Sequence, residues 1–165
     1  GRTAAPDSLN PGVWYLAEAY EIIFLVYDSL IATNLRNQAV PQLAREWSVA
    51  EDGKTWTFKL RPDVKFHDGS AFDADAVVWN VRKVLDREAP HYDPRQVGLT
   101  ISRMPTLRRA EKIDEYTVAL YTSEPDSLLP INLTNLFMAS PAHWERLRAS
   151  ASVTSSHDVW DSGRP

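Results

Sequence analysis

The chain has 165 residues, with 18 Lys+Arg against 22 Asp+Glu, 44% apolar and 24% charged. That length can bury the core of one domain, and that composition excludes a wholly disordered chain. A formal net charge of -4, spread along the sequence, leaves no basic footprint for nucleic acid, and the absence of Cys excludes disulfide frameworks, thiol catalysis and Cys-based zinc sites. The longest strongly apolar run, Ile22 to Tyr27 between Glu21 and Asp28, falls far short of the ~20 residues that a membrane-spanning helix needs.

Residues 1–12 hold Pro6, Asn10, Pro11 and Gly12, which predict an extended opening segment closed by a turn. Residues 13–27 are apolar nearly all round, broken by Glu18 and Glu21, and predict a helix buried on most sides. Residues 46–60 carry the clearest local pattern. Trp47 and Val49 share one side of a first strand, and Trp56, Phe58 and Leu60 share one side of a second, with Asp52-Gly53 between them. Period-two alternation around Asp-Gly is a β-hairpin with its aromatics in the core. Val64 and Phe66 continue the alternation past Pro62, and His67-Asp68-Gly69 then turns the chain.

A helix follows from about Asp73 to Asp86. Asp73 is its expected N-cap, Phe72 can staple onto Val77, and Val77, Val78, Val81, Val84 and Leu85 fall on one helical face. Trp79 lies beside that face, at the core edge. Residues 87–112, with Pro90, Pro94, Gly98, Pro105 and many charges, show no sustained period and read as one long loop. Residues 115–122 alternate again and predict a strand. Ser123-Glu124-Pro125 predicts a short helix ended by Pro130, and Ser140-Pro141 predicts a helix with Ser at the N-cap and Pro at its first position. The last fifteen or so residues are small and polar without periodicity, and the chain is expected to be cut from a longer one.

Enzyme motifs are absent from the sequence. No phosphate-binding glycine loop occurs, the His residues at 67, 91, 143 and 157 form neither an i, i+4 pair nor HExxH, and no Ser sits in G-x-S-x-G or S-x-x-K. His67-Asp68 with Asp73 and Asp75 is the tempting cluster, but a turn followed by a helix N-terminus accounts for all three carboxylates through capping and the helix dipole. Glu124 and Asp126 are read in the same way. Asn132-Leu133-Thr134 is a formal glycosylation acceptor set beside Pro130 in an apolar stretch, and it carries no weight. The loop aromatics Trp14, Tyr15 and Tyr92 are candidates for ligand contact or, equally, for packing.

The run PQLAREWSVAEDGKTWTFKLRPDVKFHDGSAFDADAVVWNVRKVLD resembles the signature stretch of the extracytoplasmic solute-binding proteins of peptide and nickel ABC transporters. The resemblance is carried by Pro41, Leu43, Ala44, Trp47, Asp52, Gly53, Trp56, Thr57, Phe58, Leu60 and Arg61, and then by Val64, Phe66, Asp68, Gly69, Phe72, Ala74 and Asp75. Ala76-Val77 departs from the Asp/Glu-Val common in the family. Ser8-Leu9-Asn10-Pro11, Tyr27-Asp28-Ser29-Leu30 and Asp114 to Pro125 are also similar to family stretches, so the likeness covers roughly residues 7–145.

That resemblance implies an α+β (mixed α/β) fold of the periplasmic binding protein type II kind, represented here by part of lobe one, a small mainly antiparallel sheet flanked by helices. Residues 1–28 would begin the main ligand-binding subdomain, residues 29–150 would form the accessory subdomain, and residues 151–165 would lead back to the main one. It also implies a non-enzymatic, monomeric, periplasmic or otherwise extracytoplasmic receptor without a cofactor or resident metal, whose partners are a peptide or small-molecule ligand and the membrane permease subunits of an ABC transporter. By position, Trp14, Tyr15, Tyr92, Phe137 and Met138 are expected to approach the ligand cleft, although none is a motif residue of the family. The alternatives are a solute-sensing domain of a regulatory protein and, last, a hydrolytic enzyme.

Overall fold

The computed structural model describes residues 25–94, 98 and 101–150, and its centre is the predicted hairpin. Strands β3 (Ala44–Val49) and β4 (Thr55–Leu60) pair antiparallel with Trp47 opposite Phe58 and Val49 opposite Trp56. Strands β5 (Leu107–Asp114) and β6 (Thr117–Thr122) complete a four-stranded antiparallel sheet in the order β3-β4-β6-β5. A smaller ribbon precedes it, formed by β1 (Ile31–Thr33) and β2 (Ala39–Pro41). The mixed helix and antiparallel-sheet architecture agrees with the α+β expectation.

One face of the large sheet is dry because alternate residues of its central strands are apolar. Phe58, Leu60, Val118 and Leu120 are wholly buried, and Trp56 nearly so. Trp47 is half-buried and stacks on Phe58 with ring centroids 6.5 Å apart, whereas Val49 at the end of β3 remains 45% exposed. Helix α1 (Ala74–Leu85) covers this face, chiefly against β5, and buries Val77, Val81 and Val84. Its N-cap is the predicted one: the Asp73 carboxylate accepts from the Ala76 amide at 2.9 Å. Phe72 and Val77, the proposed staple, both lie in the core.

The opposite face keeps its polar alternation. Lys59 pairs with Glu46 across the hairpin, Arg109 pairs with Glu111, and the Arg109 guanidinium lies 3.7 Å from the centroid of the Tyr121 ring.

Three sequence expectations need correction. The loop assigned to 87–112 ends earlier, because β5 starts at Leu107. This strand is at the sheet edge, most of its side chains are exposed, and its pairing with β6 shifts register between Leu107 and Arg109 and again between Lys112 and Asp114. Each shift moves the alternation onto the other face, so no period-two pattern survives to be read. The short helix expected to start at Pro125 and end at Pro130 instead starts near Pro130. Helix α2 (Leu129–Asn132), continued by a 3-10 turn over Leu133–Asn135, carries that proline in its first turn. Proline favours a helix start at either position, but Pro125 is taken by packing against the hairpin turn. Helix α3 (Pro141–Ser150) begins where expected, with the Ser140 hydroxyl accepting from the His143 amide at 3.0 Å. Leu25–Tyr27, expected to end a buried helix, are instead a turn and irregular backbone with Leu25 exposed, and the rest of the helix expected over 13–27 and the closing tail lie outside the described residues. Among those residues, no helix is long and apolar enough to cross a membrane.

The hairpin turn couples two distant parts of the chain. Gly53 has φ +66°, its carbonyl accepts from the Asp126 amide at 3.2 Å, and a Cβ placed on it would come within 2.9 Å of Pro125 Cβ. Gly69 also has positive φ, +85°, but open space where a Cβ would stand. Both glycines avoid the left-handed penalty of ~1 kcal/mol, and Gly53 avoids a collision as well. Gly69→Ala is therefore expected to cost about 1 kcal/mol and Gly53→Ala about 2–3 kcal/mol. Urea denaturation of the two variants checks this, and equal losses would show that the Pro125 contact carries no energy.

Candidate functional site

Two distant stretches of the chain, 28–29 and 137–138, lie side by side. The Asp28 carbonyl accepts from the Met138 amide at 2.9 Å, and Ser29 forms an antiparallel bridge with Phe137. The Ser29 hydroxyl donates to the Ile31 carbonyl at 2.6 Å, fixing the bend into β1. Beside this junction lies a cleft of about 430 Å³, walled by Tyr27 and Asp28, by the turn Val64–Asp68, and by Met138, Ser140 and His143.

Asp68 organises the rim. Its carboxylate accepts from the Ser70 amide at 2.9 Å, from the Ser70 hydroxyl at 2.5 Å, from the Ser140 hydroxyl at 2.7 Å and from Arg146 Nη2 at 2.7 Å. Only 11% of its side chain is exposed. Desolvation alone would raise its pKa, but the hydrogen bonds from Ser70, Ser140 and Arg146 outweigh it and hold the carboxyl well below the usual carboxylate range. Because Ser140 is also the N-cap of α3, Asp68 ties the 66–70 turn to the start of that helix.

Here the sequence reading of the three carboxylates divides. Asp73 caps α1, and Asp75 in its first turn pairs with Lys112 at 2.6 Å. Asp68 does not serve α1. It accepts within its own turn and reaches the start of α3, which a local reading around residue 73 has no means of finding. Asp126 accepts from the Leu128 amide just before α2, as expected of a helix start, and also from the Thr106 hydroxyl at 2.5 Å.

The other side of the junction is set by α1. The Asn80 side chain makes both hydrogen bonds of a backbone pair with Ala139, donating to its carbonyl and accepting from its amide at 2.9 Å each. One turn on, Lys83 is fully buried, and burial pushes its ammonium down to about 7, with the Asp93 charge opposing. His91 stacks on Trp79 with centroids 4.2 Å apart, and its Nε2 sits 3.1 Å from the Trp79 carbonyl. Trp144 from α3 meets both rings edge-on. Burial is the main reason that the His91 imidazole is pushed down to about 4; Arg82 and Lys83 push the same way, against the Trp79 carbonyl and Asp86.

Of the residues expected to approach a ligand, Trp14 and Tyr15 lie outside the described residues. Tyr92 is half-buried in the loop after α1, while Phe137 and Met138 are 7% and 3% exposed. Met138 lines the cleft; Tyr92 and Phe137 do not. Tyr27 and His143 line it without having been singled out, and Asp68, read only as part of a helix-start cluster, lines it beside them, because three distant segments of chain bring these residues together. Among the described residues, no group of three or more His, Asp or Glu is placed to hold a metal ion.

The description of the family that matches residues 38–161 is bacterial extracellular solute-binding proteins, family 5, middle. The chain belongs to this family. Relatives include the di/tripeptide-binding protein 2 of Pseudomonas aeruginosa, 32% identical over 140 residues, or 75% of this chain and 26% of that one. The nickel-binding periplasmic protein of Escherichia coli is 48% identical over 67 residues, covering 41% of this chain and 13% of its own. Among solved structures, a dipeptide binding protein from Pseudoalteromonas in complex with Met-Leu shares the fold with a TM-score of 0.79 at 24% identity, over 89% of this chain and 32% of that one. NikA from Brucella suis, in complex with Fe(III)-EDTA, gives 0.69 at 30% identity, over 83% and 26%. The chain thus spans about a quarter or less of the length of these two curated relatives.

Two outcomes follow from the site's electrostatics. Replacing Asp68 by Asn removes the charge on which four hydrogen bonds from three residues converge, and it is expected to cost about 2 kcal/mol, with α3 loosened first. Faster amide exchange over 141–150 than over β4 would show that order of loss, and uniform change would contradict it. His91 takes a proton below 6.5 in the unfolded chain but only below about 4 in the fold. The unfolded state therefore binds the extra proton first, and stability falls as pH drops from about 6.5 to 4. In thermal melts across that window His91→Phe should show a shallower decline than wild type; parallel profiles would remove His91 from the account.

Proposed function

We propose that this chain is part of lobe one of the substrate-binding component of an ABC importer, which captures short peptides outside the cytoplasm and delivers them to membrane permease subunits. The observation that carries this reading is the 32% identity to a di/tripeptide-binding protein over 75% of the chain. The likeness of fold to a dipeptide binding protein agrees with the receptor architecture. Function in such a receptor rests on differential affinity: a ligand that touches two lobes stabilises the closed form over the open one. No catalytic step is required, and the protein works as a monomer.

In this reading residues 29–150 are the accessory subdomain, flanked by pieces of the main subdomain at 1–28 and 151–165. The adjacency of Asp28 with Met138 and of Ser29 with Phe137 supports an insertion that starts near residue 29, with its return at 137–138 and α3 following it. Trp14, Tyr15, Tyr92, Phe137 and Met138 are the proposed contributors to the ligand wall. Tyr92 offers the most accessible aromatic surface of the three described, and Met138 offers a flexible apolar edge to the cleft. A second reading, a nickel chelate as cargo, is favoured by the 48% identity to a nickel-binding protein over 67 residues.

Native mass spectrometry of the full-length protein, given Met-Leu dipeptide or a nickel-histidine complex, separates the two. The expected result is a dipeptide adduct on the whole protein and none on residues 25–150 alone, because one lobe supplies only part of the contacts. A nickel-containing adduct without a dipeptide adduct moves the assignment to the second reading, and a protein left bare by both overturns the receptor assignment.

A further inference from the structure

Three titratable side chains are buried together beside α1, away from the cleft. Lys83 is 1% exposed, His91 4% and Asp93 0%. Such groups are rare in an interior unless their charges and hydrogen bonds are answered there. The Asp93 amide donates to the Lys83 carbonyl at 3.2 Å, and the Asp93 charge favours the ammonium that burial disfavours. Lys83 Nζ donates to Asn80 Oδ1 at 3.1 Å.

Asn80 is saturated. An amide side chain has two donors and two acceptor lone pairs. Its Nδ2 donates to the carbonyls of Ala76 and Ala139, and its Oδ1 accepts from the Ala139 amide and from Lys83. A line of buried polar groups therefore runs from Asp93, which is bonded to the Lys83 backbone and acts through its charge on the Lys83 ammonium, by way of Lys83 Nζ and the Asn80 amide to the backbone at Ala139. Tyr92 stands next to one end of this line and Met138 next to the other.

We propose that Asn80 and Lys83 are positioning residues that hold the segment bearing Tyr92 and the segment bearing Met138 in a fixed relation, so that the ligand wall is set from inside α1 without either residue touching ligand. This rests on the peptide-receptor reading given above. Energetic considerations support a geometric role over a stabilising one. Apolar replacement of a buried charged pair is often neutral or stabilising, whereas removing one partner strands the other. A polar line that is fully satisfied specifies one arrangement, and apolar side chains in its place would leave 91–93 and 137–139 free to shift independently.

The test uses the full-length protein with two variants. Lys83→Met combined with Asp93→Asn removes both charges and strands neither. Val81→Ala, in the same helix, is the control for stability loss. Amide exchange is expected to rise about 10-fold at both 89–94 and 136–140 in the double variant, and the control should not reproduce that joint change. Affinity for Met-Leu dipeptide is expected to fall by about 10-fold in the double variant only. If the double variant does not fold, Lys83→Gln combined with Asp93→Asn, which also removes both charges but keeps a polar group beside Asn80, is read in the same two assays. Exchange that rises at 89–94 while 136–140 keeps wild-type protection overturns the coupling. Coupled exchange with unchanged affinity overturns the positioning role. A wild-type protein that binds no dipeptide defeats the receptor reading and with it the ligand half of the proposal, and the exchange measurement still decides whether the line couples the two segments.

Discussion

The short backbone pairing between 28–29 and 137–138 is the constraint on which the rest of the module depends. About a hundred residues leave from one side of it and return to the other. Closing a loop of that length costs entropy that grows only slowly with its size, but the closure must be held against chain motion at a single place. It is held from both sides: by Asn80, which pairs with the next residue, Ala139, and by Asp68, which grips Ser140 and Arg146 just beyond. The cleft opens beside that joint and takes its walls from both sides of it.

How much of this was legible in the sequence depended on how local each cause was. The hairpin, α1 with its Asp73 cap, and α3 with Ser140 and Pro141 depend on residues within a few positions of one another, and these were read correctly. Strand β5 was missed because two bulges break its alternation and its edge position leaves its outer side chains in water. Strands β1 and β2, three residues each, carry too few side chains to show a period. At Pro125 and Pro130 the rule was sound and the choice between two prolines was made by a tertiary contact with Gly53.

The candidate site was less legible than the fold for the same reason. The family resemblance ran through Asp68 and Gly69 but gave no cause for them. The structure supplies one: Gly69 takes a left-handed φ that completes the turn, and Asp68 bonds across more than seventy positions. Asn80 and Lys83 could not be distinguished from solvated positions of an amphipathic helix, because the valine face of α1 is recognisable without them. Both nonetheless lie on its buried side. Of the ion pairs in the structure, Lys59–Glu46 and Arg109–Glu111 lie on half-exposed surface, where such contacts contribute little. The buried polar groups Asn80 and Lys83 join segments that are far apart in the chain.

The side-by-side ends have a consequence for ancestry and engineering. A folded unit whose first and last residues already touch can be spliced into a host chain between two adjacent positions, because it neither stretches the host nor needs a linker to span a gap. In reverse, excising 29–137 would bring Asp28 next to Met138, already a hydrogen-bonded neighbour, at the cost of the contacts that Asp68, Trp79 and Asn80 make with 139–146. The stretch between the touching ends is laid out as an insertion would be, and α3, beyond the joint, still holds it through Trp144 and Arg146.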